Sequence, residues 1–235
     1  MFRKELTLTD EYTNGAPRLS LSGLSQIFEG VASEHLFVMG KDYKEMREGG
    51  LMWIIVNRHT EIERMPREGE KILIETWPGS RKHGLYPRRT LIRDDDGNVL
   101  IRDAAYWAVV SLESREMITS EEKIIIPSEK LPEGEMRLPG WGIRIPEVQQ
   151  VNYRTVQRSE TDGNGHMNNS NYLKWAEDAY GQLGAQSEPS GFHIIYTKEL
   201  LEGDEAELRM CLRDGIFSME GLIGTESCFK AEIVF

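Results

Sequence analysis

Two stretches of this chain lie over one another. The segment HTEIERMPREGEKILI (59–74) aligns on HIIYTKELLEGDEAEL (193–208), so that His59 meets His193 and Glu68-Gly69-Glu70 meets Glu202-Gly203-Asp204. Upstream, Ser22-Gly23-Leu24 leads to Ile27-Phe28-Glu29, and Ser170-Asn171-Tyr172 leads to Trp175-Ala176-Glu177 at the same internal spacing. Identity is sparse, yet both matches fall in the same order. A duplicated unit restricts the fold to an architecture that one pattern can build twice.

That pattern is a helix followed by strands. Leu21, Leu24, Phe28, Val31 and His35 recur at three- and four-residue steps and predict an amphipathic helix over 20–37. Tyr172, Trp175, Ala176, Ala179 and Leu183 predict its copy over 169–183. Lys71 to Trp77 alternates with period two, and strands over 88–92 and 99–110 flank DDDGN, a hairpin turn signal. In the second copy, 206–213, 217–224 and 227–235 supply the closing strands. A long helix followed by antiparallel strands makes an α+β unit whose sheet covers the helix's apolar face. Four prolines and three glycines mark 127–146 as a linker between units 1–126 and 147–235.

Composition narrows the function classes. With 39% hydrophobic and 29% charged residues, the 235-residue chain reads as globular, and no apolar run reaches membrane-spanning length. MFRKELTLTDEY at the start lacks the apolar core of a secretory signal. Cys211 and Cys228 are too few for a disulfide framework and read as reduced thiols on late strands, which points to the cytoplasm. A net charge of −11 argues against nucleic acid or an anionic membrane as partner. An acidic partner would need a local basic patch, for which Arg81-Lys82-His83, Arg88-Arg89, Arg58, Arg64 and Arg67 are the candidates.

The densest cluster of chemical side chains is DGNGHMNNSNY (162–172). In an extended segment Asp162, Asn164 and His166 would point the same way, with Gly163 and Gly165 leaving room beside them. Asn168, Asn169 or Ser170 can cap the following helix, whose free N–H groups would face a developing oxyanion. A calcium loop counted from Asp162 would need Gly and Glu where Met167 and Leu173 stand. The same test from Asp94 meets Val99 and Ala105. Zinc would want further ligands, and the only other histidine in this half is His193. No Gly-rich strand–loop–helix supports nucleotidyl transfer. On spacing alone, catalysis and an Asx-rich turn with a hydrogen-bonded histidine fit equally.

The motif Asp-x-Asn-x-His followed by Asn-Asn-x-x-Tyr resembles the active-site segment of acyl-acyl carrier protein (acyl-ACP) thioesterases, bacterial relatives of the plant plastid enzymes. The likeness extends to 53–78, to the hairpin at 93–118, and to YTKELLEGDEAEL (196–208), similar to the later strand that carries the family's catalytic glutamate. The resemblance implies two tandem hotdog units, each a helix wrapped by an antiparallel sheet. It also implies hydrolysis of fatty acyl thioesters on acyl carrier protein, with no cofactor or metal. Asp162, Asn164 and His166 match the family triplet, and Glu199 stands at the glutamate position. Leu200 falls where plant members can carry a cysteine; leucine cannot attack a thioester, so water must.

Those residue types suit the chemistry. Glu199 is expected to activate water with support from His166, Asn164 to orient water or carbonyl, and Asp162 to hold the loop and the histidine tautomer. In the first copy Met65 stands at the Glu199 position, and the run matching His166 is Asn14-Gly15-Ala16-Pro17-Arg18. That copy has lost the chemical groups, and its helix is expected to line an acyl tunnel with Leu24, Phe28 and Val31. The competing hypothesis is an acyl-CoA thioesterase or a hotdog protein that binds acyl chains without turnover. Retention of Glu199 with the triplet favours the acyl-ACP hydrolase. A tandem repeat is already an internal pseudo-dimer, which leaves further oligomerisation optional.

Overall fold

The computed structural model of the chain describes residues 1–119, 126, 138–163, 165–185 and 187–235. In chain order the first half comprises β1 (Phe2–Thr7), α1 (Leu21–Val38), α2 (Tyr43–Glu48), β2 (Leu51–Ile62), β3 (Lys71–Pro78), β4 (Tyr86–Arg93) and β5 (Val99–Ser111). The second half comprises β6 (Gln150–Thr155), α3 (Asn169–Gln182), β7 (Gly191–Tyr196), β8 (Glu205–Arg213), β9 (Ile216–Ile223) and β10 (Glu226–Val234).

The ten strands of the described residues form one antiparallel sheet in the order β1-β3-β4-β5-β2-β7-β10-β9-β8-β6. Read inward from either edge, the two halves have the same order. They join where β2 pairs with β7, and there His59 stands opposite His193, with Asn57 opposite Ile195 and Glu61 opposite Gly191. Because His59 and His193 also match in the repeat, the pseudo-dyad passes between them. Their rings meet edge to face at 5.6 Å.

The helices begin where local chemistry permits. Ser20 caps α1 by accepting from Gly23 N–H at 2.9 Å, and Asn168 caps α3 by accepting from Ser170 N–H at 3.0 Å. A Cβ at position 23 would lie 2.0 Å from the Tyr12 carbonyl oxygen, so only glycine permits that approach. The buried faces, Leu21, Leu24, Phe28 and Val31 on α1 and Tyr172, Trp175, Ala176 and Ala179 on α3, share one apolar core with the sheet. Each fully buried Phe or Leu contributes about 1.5–3 kcal/mol of transfer free energy to that packing.

Several expectations change. The edge strands β1 and β6 alternate half-buried and exposed residues, a weak signal that the sequence reading passed over. Arg88 is buried, donating to Thr76 Oγ1 and lying 3.2 Å from His35 Nδ1, and Arg58 is buried as well. Neither can belong to a basic docking patch, because both point to the helix side of the sheet. Residues 127–137 of the expected linker lie outside the described residues. From 138 to 149 the chain has no regular element. There Asn57 Nδ2 donates to the Gly140 carbonyl at 2.7 Å, Trp141 stacks on Tyr106, and Ile143 is buried.

Candidate active site

The 162–166 run is a closed turn and not an extended segment. Asp162 N–H donates to the His166 carbonyl at 2.8 Å and Gly165 N–H to the Asp162 carbonyl at 3.1 Å. Gly165 takes φ +79°, a left-handed conformation that costs glycine little. Asp162 and His166 therefore close the turn between them. Asp162 Oδ1 accepts from His166 N–H at 3.1 Å, which ties the histidine backbone to the loop. Asn164 lies outside the described residues.

Two further asparagines anchor the turn to the helix. Asn168 N–H and Asn171 Nδ2 both donate to the Glu160 carbonyl, at 2.9 and 2.8 Å. Glu160 Oε1 in turn accepts from Trp175 Nε1 at 2.8 Å. The Asn-rich run thus fixes where α3 begins. No acceptor among the described residues pairs with the N–H of Asn169, the first residue of that helix.

Glu199 sits after the end of β7, not on a strand. Thr197 N–H and Lys198 N–H both converge on the Cys228 carbonyl, ending the ladder, and an isolated bridge pairs His166 with Leu201. Met167 N–H donates to the Leu200 carbonyl at 2.7 Å, and Leu200 N–H reaches the Tyr172 hydroxyl at 3.3 Å. Burial pushes the Tyr172 phenol above its ordinary range, so it stays protonated. Leu200 is fully buried behind the site.

These ties bring His166 Nε2 to 2.9 Å from Glu199 Oε2. Arg115 Nη1 lies 3.1 Å from Glu199 Oε1 and 3.4 Å from His166 Nε2. With Nε2 carrying its hydrogen and donating to Oε2, Arg115 donates to Oε1, and its 3.4 Å approach to Nε2 is a contact between two donors and not a hydrogen bond. Each oxygen of Glu199 then receives one donor, which sets the plane of the carboxylate. Glu199 remains 41% exposed at the side chain while His166 is 12% exposed, so the carboxylate is open to water.

Of the four expected residues, the turn and the link after β7 bring His166 and Glu199 together, with Asp162 beneath them. Arg115 went unrecognised. It follows β5 in the other half of the chain, takes φ +60°, and carries no local motif. A second missed feature was visible in the repeat, where Glu29 lies over Glu177. Glu177 accepts from Leu21 N–H at 2.6 Å, from Ser22 N–H at 3.2 Å and from the Ser22 hydroxyl at 3.1 Å, at the start of α1. Glu29 accepts from Ser25 Oγ at 3.0 Å on its own helix.

Two family models match the chain, the acyl-ACP thioesterase N-terminal domain over residues 2–127 and the C-terminal domain over residues 144–225. A chloroplastic acyl-[acyl-carrier-protein] hydrolase of Cuphea viscosissima is 26% identical over 231 residues, 92% of this chain and 53% of that protein. The dodecanoyl-[acyl-carrier-protein] hydrolase of Umbellularia californica is 25% identical over 170 residues, 66% of this chain and 43% of that protein. The chain spans about half the length of these relatives. An acyl-ACP thioesterase from Bacteroides thetaiotaomicron superposes with a TM-score of 0.86 at 21% identity, covering 100% of this chain and 97% of that one. The 12:0-ACP thioesterase from Umbellularia californica gives 0.84 at 18% identity, covering 99% and 96%. At these identities the likeness is one of fold: the tandem hotdog arrangement.

Proposed function

From the premise that this chain belongs to the acyl-ACP thioesterase family, we propose that it hydrolyses the thioester of a fatty acyl chain carried on acyl carrier protein, releasing fatty acid and carrier. The observation that carries this reading is the Glu199–His166 pair, 2.9 Å apart and open to water, with the first N–H of the following helix unengaged among the described residues.

Glu199 takes a proton from water as the water oxygen attacks the thioester carbon. The carbonyl oxygen becomes an oxyanion, and the Asn169 N–H at the positive end of α3 stabilises it. Collapse breaks the carbon–sulfur bond, and the departing thiolate takes the proton that Glu199 received. Atoms balance as acid plus thiol. His166 and Arg115 hold the carboxylate in plane, so attack starts from an oriented base. Asp162 holds the turn, and Asn164, which matches the family triplet, orients water or carbonyl.

The same reading divides the chain into a non-catalytic unit at 1–126, a linker at 127–146 and a catalytic unit at 147–235. Leu24, Phe28 and Val31 of the first unit line the acyl site. Among the described residues no helix is long and apolar enough to cross a membrane. The cytoplasmic setting rests on the free, buried thiols of Cys211 and Cys228.

The test is turnover against acyl-ACPs and acyl-CoAs of graded length. Glu199→Ala should lower kcat by about 10²–10⁴ in a folded protein, the range for losing a general base. His166→Ala should fall in the same range. Wild-type turnover in either variant removes that residue from the mechanism.

A further inference from the structure

Glu29 and Glu177 occupy the same place in the repeat, on the second turn or beyond of α1 and α3. Glu177 crosses to the other helix and closes its N-terminus, with its carboxylate on Leu21 N–H and Ser22 N–H. The dyad aims Glu29 at the matching place, the first turn of α3. Burial raises the Glu29 carboxyl above its usual range, Arg58 and Ser25 work against that, and Asp162 of the catalytic turn is the least of the charges that act on it. Yet Asn169 N–H is unengaged among the described residues, and the Glu29 carboxylate turns to Ser25 and Arg58.

The neighbours explain the difference. Ser25 Oγ donates to Glu29 Oε1 at 3.0 Å and accepts from Arg58 Nη1 at 2.9 Å. Arg58 Nη1 lies 3.8 Å from Glu29 Oε1, and its Nε lies 3.3 Å from Asp103 Oδ1. Arg58 also lies over the Phe28 ring at 5.1 Å, which sets the height of the guanidinium beside α1. Around Glu177 the matching positions are Leu173, Phe192 and Ala231, all apolar and all buried. Phe192 matches Arg58 through the repeat, and Ala231 opposite Ile194 matches Asp103 opposite Thr60. Where no cation draws it, the carboxylate goes to the helix amides. Where Arg58 stands, it stays on its own helix.

We propose that Arg58, braced by Asp103 and Ser25, is a positioning residue that holds Glu29 off the first turn of α3 and keeps the Asn169 N–H open to the reacting carbonyl. This rests on the thioester hydrolysis proposed above. In a carboxylate-closed site the oxyanion would meet a negative charge in place of a donor.

The experiment transplants the second copy's residues into the first. Arg58→Phe with Asp103→Ala removes cation and partner together, so no unpaired member of that pair is left buried. Turnover should fall about 10²–10³-fold in kcat, the range for losing one oxyanion donor, with KM changed much less. Adding Glu29→Ala should return kcat to within a few-fold of wild type, a recovery that a purely structural role for Arg58 would not produce. If the transplant folds poorly, Ser25→Ala is the second variant, with a smaller loss that Glu29→Ala again reverses. A crystal structure of the transplant reads the inference without turnover: Glu29 should lie within hydrogen-bond distance of Asn169 N–H. Unchanged kcat with Glu29 still on Ser25, or a loss that Glu29→Ala does not reverse, overturns the proposal. A wild type inactive on every thioester sinks the hydrolase reading, while the position of Glu29 in the transplant still decides this one.

Discussion

At the start of α1 an internal carboxylate fills the place that, under the proposed hydrolysis, the substrate oxyanion takes at the start of α3. Glu177 accepts three hydrogen bonds there, from Leu21 N–H, Ser22 N–H and the Ser22 hydroxyl. At the positions that match His166 and Glu199 stand Arg18, paired with Glu188, and buried Met65. At the start of α3 stand His166, Glu199 and Arg115, and the first amide is unengaged among the described residues. Duplication makes two equivalent mouths. One was turned into a helix cap that fastens α1 to α3, and the other was left open to water. The difference lies in side chains that the shared backbone could have carried at either mouth.

The comparison breaks most completely if the open mouth is rebuilt as the closed one. Glu199→Met with His166→Arg, the residues at the matching positions, should lower kcat by at least about 10⁴, since base and partner act as one unit. Both side chains reach the surface, so the melting temperature should move little. Measurable turnover in that variant would show that the two mouths do not differ where proposed.

The converse change falls on stability. Glu177→Ala leaves the Ser20 cap but strips the acceptor of Leu21 and Ser22 N–H, and should cost about 2 kcal/mol, a fall of about 4–8 °C in Tm for a chain of this size. Burial raises the Glu177 carboxyl above its usual range, and the hydrogen bonds from Leu21 and Ser22 work against that. Activity per folded molecule should stay within twofold. Lost activity at unchanged stability would mean that this mouth also serves the reaction.

A smaller effect separates the turns in front of the helices. Gly15 at φ +77° and Gly165 at φ +79° each have open space where a Cβ would stand. Alanine at either should cost about 1 kcal/mol of stability from backbone strain alone. Only Gly165→Ala should also reduce kcat, by about tenfold, because it moves His166. Paired denaturation and kinetic measurements check both halves of that statement.

The smallest effect lies at the dyad, where the halves are most alike. Burial, then the adjacent His59, lowers His193 to about 4. The unfolded chain takes up this proton near 6.5, so the stability that His193 contributes is present above that pH and lost as pH falls towards 4. His59 is lowered in the same direction by burial. His193→Gln should flatten the decline of Tm between pH 6.5 and 4, and an unchanged slope would assign the acid sensitivity elsewhere.

Most of the fold was legible because its signals are local. Both long helices fall within a residue or two of the spans predicted from apolar spacing, and the DDDGN hairpin closes through Asp94 N–H to the Asn98 carbonyl. The pairing of Glu199 with the 162–166 segment was legible only through family likeness, since 32 residues of intervening chain hide it from any spacing rule. The misread features share one cause. Whether Arg88 is a surface charge or a buried one, and whether 162–166 is extended or closed, depends on groups that arrive from elsewhere.

The sequence by itself determined the repeated pattern of helix and strands, the lack of the glutamate and histidine in one copy, and the absence of a thiol at position 200. Periodicity and residue identity suffice for those, because each depends on the residue and its near neighbours. Only the tertiary structure decided which carboxylate closes a helix, which stays on its own helix, and that Arg115 of the first half reaches Glu199 of the second. The register of β2 against β7 fixes the dyad, and the dyad sets the distances between side chains remote in sequence. A carboxylate goes to whichever donors lie within hydrogen-bond reach, so its partner follows from that register.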